Sequence, residues 1–423
     1  MSTTTRPLVP GELKFPRGFL WGASTSAHQI EGNNHNDWSE WELENAERLA
    51  QAAPRKYAHW LPAWERIKSQ ATNPQNYISG KAAEHYTRYE TDFDLIEELG
   101  LNTYRLSLEW SRIEPQKGEF DHEAIAHYRE MIASLQKRGI QPFVTLWHWT
   151  LPTWVSDIGG WQNMETVKYF SRYVYKMVSE LPEVSNWVTL NEAEIYTRQA
   201  YLEGDWPPQK RTYIHYWMIN NNLMAAHKEA YKHVKMVNPE AQVGIVQNNT
   251  YFEPIRNRWF NRLLASFLSW WHNRFLLNTI QDHLDFIGVN YYFHNTVNLA
   301  KDFKPHCDRS DMGWDLCTYG IYYVLKELQR YGKPVYVTEN GLADAGDVYR
   351  AGFIKETLNY VHQAIAEGVD VRGYFHWSLL DNFEWDKGFW PRFGLVAVDY
   401  ATQERTIRPS AKIYAKIAKS NSL

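Results

Sequence analysis

The amino-acid sequence predicts an α/β fold, a (β/α)8 (TIM) barrel with elaborated βα loops. Three observations carry that prediction. Eight short runs of β-branched and aromatic residues recur along the chain, segments with helical apolar spacing separate them, and most runs stop abruptly at polar or aromatic side chains. A barrel gathers all eight strand ends onto one face, whereas a doubly wound open sheet concentrates polar ends at a single crevice. At 423 residues the chain exceeds the usual domain size, but a large barrel with inserted loops stays one domain. Residues 1–423 are therefore expected to form a single barrel domain with a short flexible arm over 1–13.

The first strand is expected over Phe19–Ser24, and its outlet carries Thr25, Ser26, His28, Gln29 and Glu31. Residues 37–79 scatter Trp38, Trp41, Trp60 and Trp64 among charges and read as a long loop with short helices, either a cleft wall or a solvated cover. Ala82–Leu99 has helical spacing and stops at Gly100. Strand two, Asn102–Trp110, alternates Tyr104, Leu106 and Leu108 and carries two unexpected charges, Arg105 and Glu109. After a helix over His122–Lys137, strand three (Gln141–Trp147) ends in His148 and Trp149. A helix over Met164–Leu181 leads to strand four (Trp187–Leu190), which ends in Asn191 and Glu192. The Ile214–Val237 helix precedes strand five (Ala241–Val246), tipped by Gln247, Asn248 and Asn249. Residues 257–280 are helical and unusually rich in Trp and Phe, which fits burial on the barrel or subunit packing. Strand six (Phe286–Val289) ends in Asn290, Tyr291 and Tyr292, and residues 295–318 read as a long connection. A short helix at Tyr322–Leu328 delivers the chain to strand seven, where Val335 to Thr338 stop at Glu339 and Gly341 lets the chain turn. A helix over Phe353–Ala366, strand eight (Val371–Phe375) ending in His376 and Trp377, and a helix over Ser410–Ile417 complete the order.

With 44% apolar and 22% charged residues the chain has the balance of a folded soluble protein, and its formal charge of −4 gives no general attraction to nucleic acid or to an anionic membrane. No apolar run reaches membrane-spanning length, and residues 1–13 lack the apolar centre of a secretion signal, so a cytoplasmic protein is expected. Cys307 and Cys317 are the only cysteines; two free thiols are the simpler reading and one local bridge the alternative. No glycine-rich nucleotide fingerprint, paired CxxC or HExxH motif occurs in its required context, so no cofactor and no metal are expected. Aromatic content is the outlier. Twenty Trp and 27 Tyr exceed the needs of an ordinary core and suit sugar faces or an interface.

Among the strand ends, Glu192 and Glu339 are carboxylates for which a core strand has no structural use. Glycosidic cleavage needs an acid to protonate the departing oxygen and a second carboxylate that attacks the anomeric carbon or activates water. Taken alone, the pair fits structural salt bridges equally well. Its company favours chemistry: Gln29, His148, Asn191, Asn290 and Glu384 offer hydrogen bonds to hydroxyls, and Trp149, Trp377 and Trp385 offer flat apolar faces to a pyranose. The plainer alternatives are a packed strand-end histidine at His148 and a core aromatic at Trp377. Spacing along the chain does not choose between retention, at a carboxylate separation of about 5 Å, and inversion, at about 9 Å.

Four blocks then resemble one family in combination: FPRGFLWGASTSAHQIEG at 15–32, TLNE at 189–192, VTENG at 337–341 and WSLLDNFEW at 377–385. The chain resembles the retaining glycoside hydrolases of family 1, the β-glucosidase and β-galactosidase type, from Phe15 to Ile417. The resemblance implies Glu339 as nucleophile, Glu192 as acid/base and Asn191 as a contact to the hydroxyl beside the anomeric carbon. It further implies that Gln29, His148 and Glu384 bind the other hydroxyls with Trp149 and Trp385, and that Trp377 is the stacking floor. Arg105 and Tyr292 would support Glu339, with Asn290 in the same polar ring. The implied activity is exo-acting release of terminal nonreducing β-D-glucosyl residues from a β-glycoside or short β-linked oligosaccharide, with β-galactosidase and β-fucosidase as side activities. Homo-oligomerisation is left open. A 6-phospho-β-glycosidase, a transglycosidase and a noncatalytic carbohydrate-binding protein are the alternatives, and the first lacks its Ser and Lys signature around Glu384 to Phe393. Two positions depart from the family pattern. Ala193 follows Glu192 where proline is usual, and Glu109 suggests either an ion pair beside Arg112 or a changed pocket edge.

Overall fold

Eight parallel strands close on themselves in chain order: β1 (Leu20–Ser24), β2 (Thr103–Ser107), β3 (Gln141–Trp147), β4 (Asn186–Asn191), β5 (Gln242–Pro254), β6 (Phe286–Val297), β7 (Val335–Asn340) and β8 (Val371–Trp377). The computed structural model describes residues 13–255, 258–297 and 307–423, so residues 1–12 of the expected arm lie outside them. Closure sets Leu20 to Ser24 of β1 beside Gly373 to Trp377 of β8. Helices separate the strands, and their apolar faces bury against the outside of the barrel.

Inside, Phe143, Val188, Val246, Phe286, Tyr336 and Phe375 form one packed cluster. The Phe143 ring lies 5.8, 5.1 and 5.0 Å from those of Phe286, Tyr336 and Phe375, within the range of favourable edge-on aromatic contacts. This plug fills the barrel interior below the strand ends. At those ends the ladder loses its regular register, between Val188 and Asn191, Asn248 and Thr250, Val289 and Asn290, and Val337 and Asn340. Such irregularities re-aim side chains, and these four flank Glu192, Asn248, Asn290 and Glu339.

Several elements differ from the sequence reading. Residues 37–79 are not a loop with short helices: Asp37–Tyr57 is one 21-residue helix, started by an Asn36–Ser39 capping box and followed by the Trp64–Ala71 helix. Its inward stripe runs Trp38, Trp41, Ala46, Ala50, Ala53 and Tyr57, and the alanines, strong helix formers with little hydrophobic weight, hid the period. β5 and β6 run on past the barrel and stay paired from Thr250 with Phe293 to Pro254 with Val297, so strand six is far longer than expected. Part of the 295–318 connection lies outside the described residues, and Cys307 and Cys317 are joined, with Cα atoms 5.7 Å apart. The expected free thiols are thereby corrected. The loop folds back so that Arg309 bridges to Asp315, which brings the two cysteines together.

Glu109 proves to be neither an ion-pair partner nor a pocket edge. It is buried, caps the Trp110–Ile113 turn, and accepts from Ser111 Oγ at 2.7 Å and Thr150 Oγ1 at 3.1 Å. Arg112 turns instead to Glu31, 3.3 Å away.

Candidate active site

The two carboxylates sit at the ends of β4 and β7, with β5 and β6 between them, in different company. Glu339, next to last in β7, is buried and receives Arg105 Nη1 at 2.5 Å and the Tyr292 hydroxyl at 2.9 Å. Arg105 comes from β2, has no exposed surface, and is fixed further by Asn191 Oδ1 at 2.7 Å and Thr145 Oγ1 at 3.1 Å. Glu192, directly after β4, receives amide hydrogens from Asn290 at 2.7 Å and Asn248 at 3.1 Å and has no ion-pair partner among the described residues. Asn290 is itself oriented by Thr338 Oγ1, which donates to its Oδ1 at 2.8 Å.

This asymmetry separates the two groups electrostatically. Burial pushes the Glu192 carboxyl well above its ordinary value, and the nearby charges of Glu339 and Glu194 push it further. Burial also raises Glu339, but the Arg105 guanidinium and the Tyr292 hydroxyl oppose the rise. Glu192 is therefore the member that holds a proton, and Glu339 the one that ionises first. His148 is driven well below its ordinary value by burial and by Arg105, so its imidazole is neutral, and its Nε2 meets Asn191 Nδ2 at 3.2 Å. An imidazole in that state serves as a hydrogen-bond partner rather than as the proton donor.

A cavity of about 230 Å³ opens over these groups, lined by Gln29, His148, Trp149, Tyr292, Trp377, Glu384 and Trp385 together with Glu192 and Glu339. Gln29 donates to Glu384 at 3.3 Å and Asn382 to the same oxygen at 3.0 Å, while burial lifts the Glu384 carboxyl to about 7. Trp149 donates to the Asn191 carbonyl at 2.9 Å. The rings of Trp377 and Trp385 lie nearly parallel to His148, at 6.1 and 6.0 Å, and form flat apolar walls. Asn191, Asn290 and Arg105 stand behind this lining, hydrogen-bonded to the groups in front. Every residue selected from the sequence is thus brought to one place.

Backbone strain concentrates here as well. Glu192 (φ 42°), Trp149 (φ 80°) and Trp385 (φ 49°) adopt left-handed conformations, each costing a residue with a β-carbon about 1–3 kcal/mol. Ala193 opens the helix that follows Glu192, a position that proline tolerates but does not require. Gly341 needs no left-handed backbone. A β-carbon there would lie 1.8 Å from the carbonyl oxygen of Trp377, so the glycine permits close approach of β7 to the tryptophan floor rather than a turn.

Sequence reasoning missed Asn248, Trp206, Asp386 and Trp314. Asn248 was visible as a strand-five tip, but only the register break aims it at Glu192. Trp206 packs 4.6 Å from Trp149 and donates to Asp386 at 3.0 Å, and Trp314 enters from the bridged loop. Neither carries a local signal.

A (β/α)8 barrel that presents two buried, electrostatically separated carboxylates in a tryptophan-walled pocket defines a glycoside hydrolase. The comparisons with known proteins narrow the class. The model for glycosyl hydrolase family 1 matches residues 12–281 and 276–423, and the chain belongs to that family. It is 33% identical to beta-glucosidase A of Thermotoga maritima, with 97% of this chain and 99% of the relative covered. It is 32% identical to a beta-galactosidase of Sulfolobus acidocaldarius, with 97% and 96% covered. Among solved structures, a beta-glycosidase from Pyrococcus horikoshii superposes with a TM-score of 0.86 at 37% identity over 98% of this chain and 96% of that one. The Thermotoga maritima beta-glucosidase in complex with isofagomine lactam superposes at 0.85, with 30% identity over 97% and 100%.

Proposed function

We propose that the protein is a retaining, exo-acting β-glycosidase, foremost a β-glucosidase, in which Glu339 is the nucleophile and Glu192 the acid/base. The observation that carries this reading is the unequal support of the two carboxylates: a guanidinium and a phenol on Glu339, two neutral amides on Glu192. In the first step Glu192 gives its proton to the leaving oxygen as ionised Glu339 attacks C1. The bond to the leaving group breaks and a glycosyl ester forms. Glu339 then no longer carries charge, which removes one cause of the raised Glu192 value, so Glu192 becomes a base. It takes a proton from water, water attacks C1, and the sugar leaves with its β configuration and Glu339 free.

Gln29, His148 and Glu384 are assigned to the glycone hydroxyls, Asn191 to the hydroxyl beside C1, and Trp377 to the ring face, with Trp149 and Trp385 as side walls. A phosphorylated glycone is disfavoured. Lys387, the lysine in the lining, is engaged with Asp386 at 2.5 Å, and Arg392 turns to Asp381 and the Val398 carbonyl. A beta-galactosidase among the relatives, and the Thermotoga maritima beta-glucosidase in complex with isofagomine lactam and with deoxynojirimycin, support an unphosphorylated hexoside. A cytoplasmic location belongs to the same proposal, although the joined Cys307 and Cys317 withdraw the thiol argument for it. Proton NMR of the anomer first released from an aryl β-glucoside tests the chemistry. β-Glucose is expected, with turnover abolished in Glu339→Ala; α-glucose, or turnover retained in that variant, overturns the assignment.

A further inference from the structure

The Trp259–Ser269 helix, which follows β5, buries only Asn261 and Ala265. Of the two readings of the 257–280 stretch, burial on the barrel holds for Leu276, Leu277 and Ile280 but not for its first helix: Trp259 is 73% exposed, Leu263 62%, Phe267 55% and Trp270 37%. At 3.6 residues per turn these four fall within a sector of about 80°. Ring contacts carry the stripe onward, from Phe267 to Trp270 (6.0 Å), Trp270 to Phe275 (5.7 Å) and Phe275 to Trp217 (5.3 Å), and Tyr213 and Ile214 stand exposed one turn before Trp217. The adjoining sector of the Trp259–Ser269 helix, with Arg262, Ser266 and Ser269, lines a cavity of about 380 Å³ whose far wall holds Arg330 and Glu327. Glu327, the acid in that lining, is occupied by Arg274 at 3.2 Å, Asn273 at 2.9 Å and Ser269. The guanidinium groups of Arg262 and Arg330 have no hydrogen-bond or ion-pair partner among the described residues. Between Glu253 and Asp282 the sequence has four arginines and no acidic residue.

We propose that this face docks the enzyme on an anionic phospholipid bilayer, the aromatic stripe entering the headgroup boundary and the Arg262–Arg330 cavity receiving a headgroup phosphate. An amphipathic helix with Trp, Phe and Leu on one sector and arginine on the next matches the composition of helices that lie in that interface. A second copy of the chain fits less well, since a self-complementary contact would set arginine against arginine. The contact is peripheral, for among the described residues no helix is long and apolar enough to cross a membrane. The net charge of −4 does not oppose it, because the surface is sensed over a screening length of about 10 Å. The Trp259–Ser269 and Tyr213–Val237 helices both follow strand carboxyl ends, so the docked face adjoins the rim of the catalytic mouth.

Flotation of the whole protein with phosphatidylcholine vesicles, with and without phosphatidylglycerol, tests the proposal. Binding should require phosphatidylglycerol, weaken with salt, fall about tenfold or more in Arg262→Glu/Arg330→Glu, and be lost in Trp259→Ser/Phe267→Ser. Hydrolysis of a soluble aryl β-glycoside should stay at the wild-type level in both variants, which establishes that they are folded. Equal binding to neutral vesicles, or none to anionic ones, overturns the proposal. So does complete displacement by millimolar inorganic phosphate, which would make the cavity a site for the free ion. A dimer in sedimentation velocity that Trp259→Ser/Phe267→Ser dissolves would assign the face to a second copy instead.

Discussion

Replacing Arg105 by Met keeps an unbranched stem and removes the charge that separates the two carboxylates. Arg105 is fully buried, and its Nη1 lies 2.5 Å from Glu339. Two charges about 4 Å apart at an effective dielectric near 20 interact by about 4 kcal/mol, which favours the protonated form of Glu339 by a factor of about a thousand once the cation is gone. As the proposed nucleophile Glu339 must be ionised, so kcat/KM near pH 6 should fall at least about a hundredfold. Activity should return in part as pH rises, until Glu192 loses its proton and the profile closes. Stability follows the same group. In the variant the folded-state value of Glu339 rises further above its unfolded value of about 4.3, so folding takes up a proton and stability is lost as pH climbs through that interval. The deficit should approach about 3–5 kcal/mol at pH 8, where a buried carboxylate stands unpaired, and be smaller at pH 5. The assay is a pH series of kcat/KM on an aryl β-glucoside, paired with urea melts at both pH values. An acid limb that stays at the wild-type position in folded Arg105→Met protein refutes the role given to the guanidinium.

Asp386, held down to about 2 by Lys387, Lys56 and Trp206 against the cost of burial, contributes stability above its unfolded value of about 3.9 that is lost as pH falls through about 2. Asp386→Asn should therefore cost about 2 kcal/mol in urea melts at pH 7 and much less at pH 2. Gly341→Ala drives a β-carbon into the Trp377 carbonyl, and we expect a loss of about 3 kcal/mol together with weakened glycone binding, read as a raised KM. Denatured protein should show no free thiol before reduction and two after it, and reduction of this 10-residue separation should cost up to about 3 kcal/mol in thermal melts.

Much of the molecule was legible from residue order because the physics involved is local. Alternation and helical spacing report which face a segment buries, and a carboxylate or amide that ends a buried run marks a strand tip; Glu192, Glu339, Asn191 and Asn290 were visible on those grounds. The family blocks added the roles. Where local signals were weak the reading failed: alanines concealed the Asp37–Tyr57 helix, and the Trp and Phe of the Trp259–Ser269 helix gave an apolar count without saying whether a partner covers them.

The sequence by itself determined the barrel, the two carboxylates and the aromatic character of the pocket, since each depends on residue type and short-range period. The family blocks implied which carboxylate keeps its proton, and tertiary structure alone supplied the physical cause. That choice depends on Arg105 arriving from β2 and Tyr292 from β6 at Glu339, and on register breaks that turn Asn248 and Asn290 toward Glu192, across separations of 234, 47, 56 and 98 residues. Electrostatic energy follows distance through space, and no period along the chain encodes it.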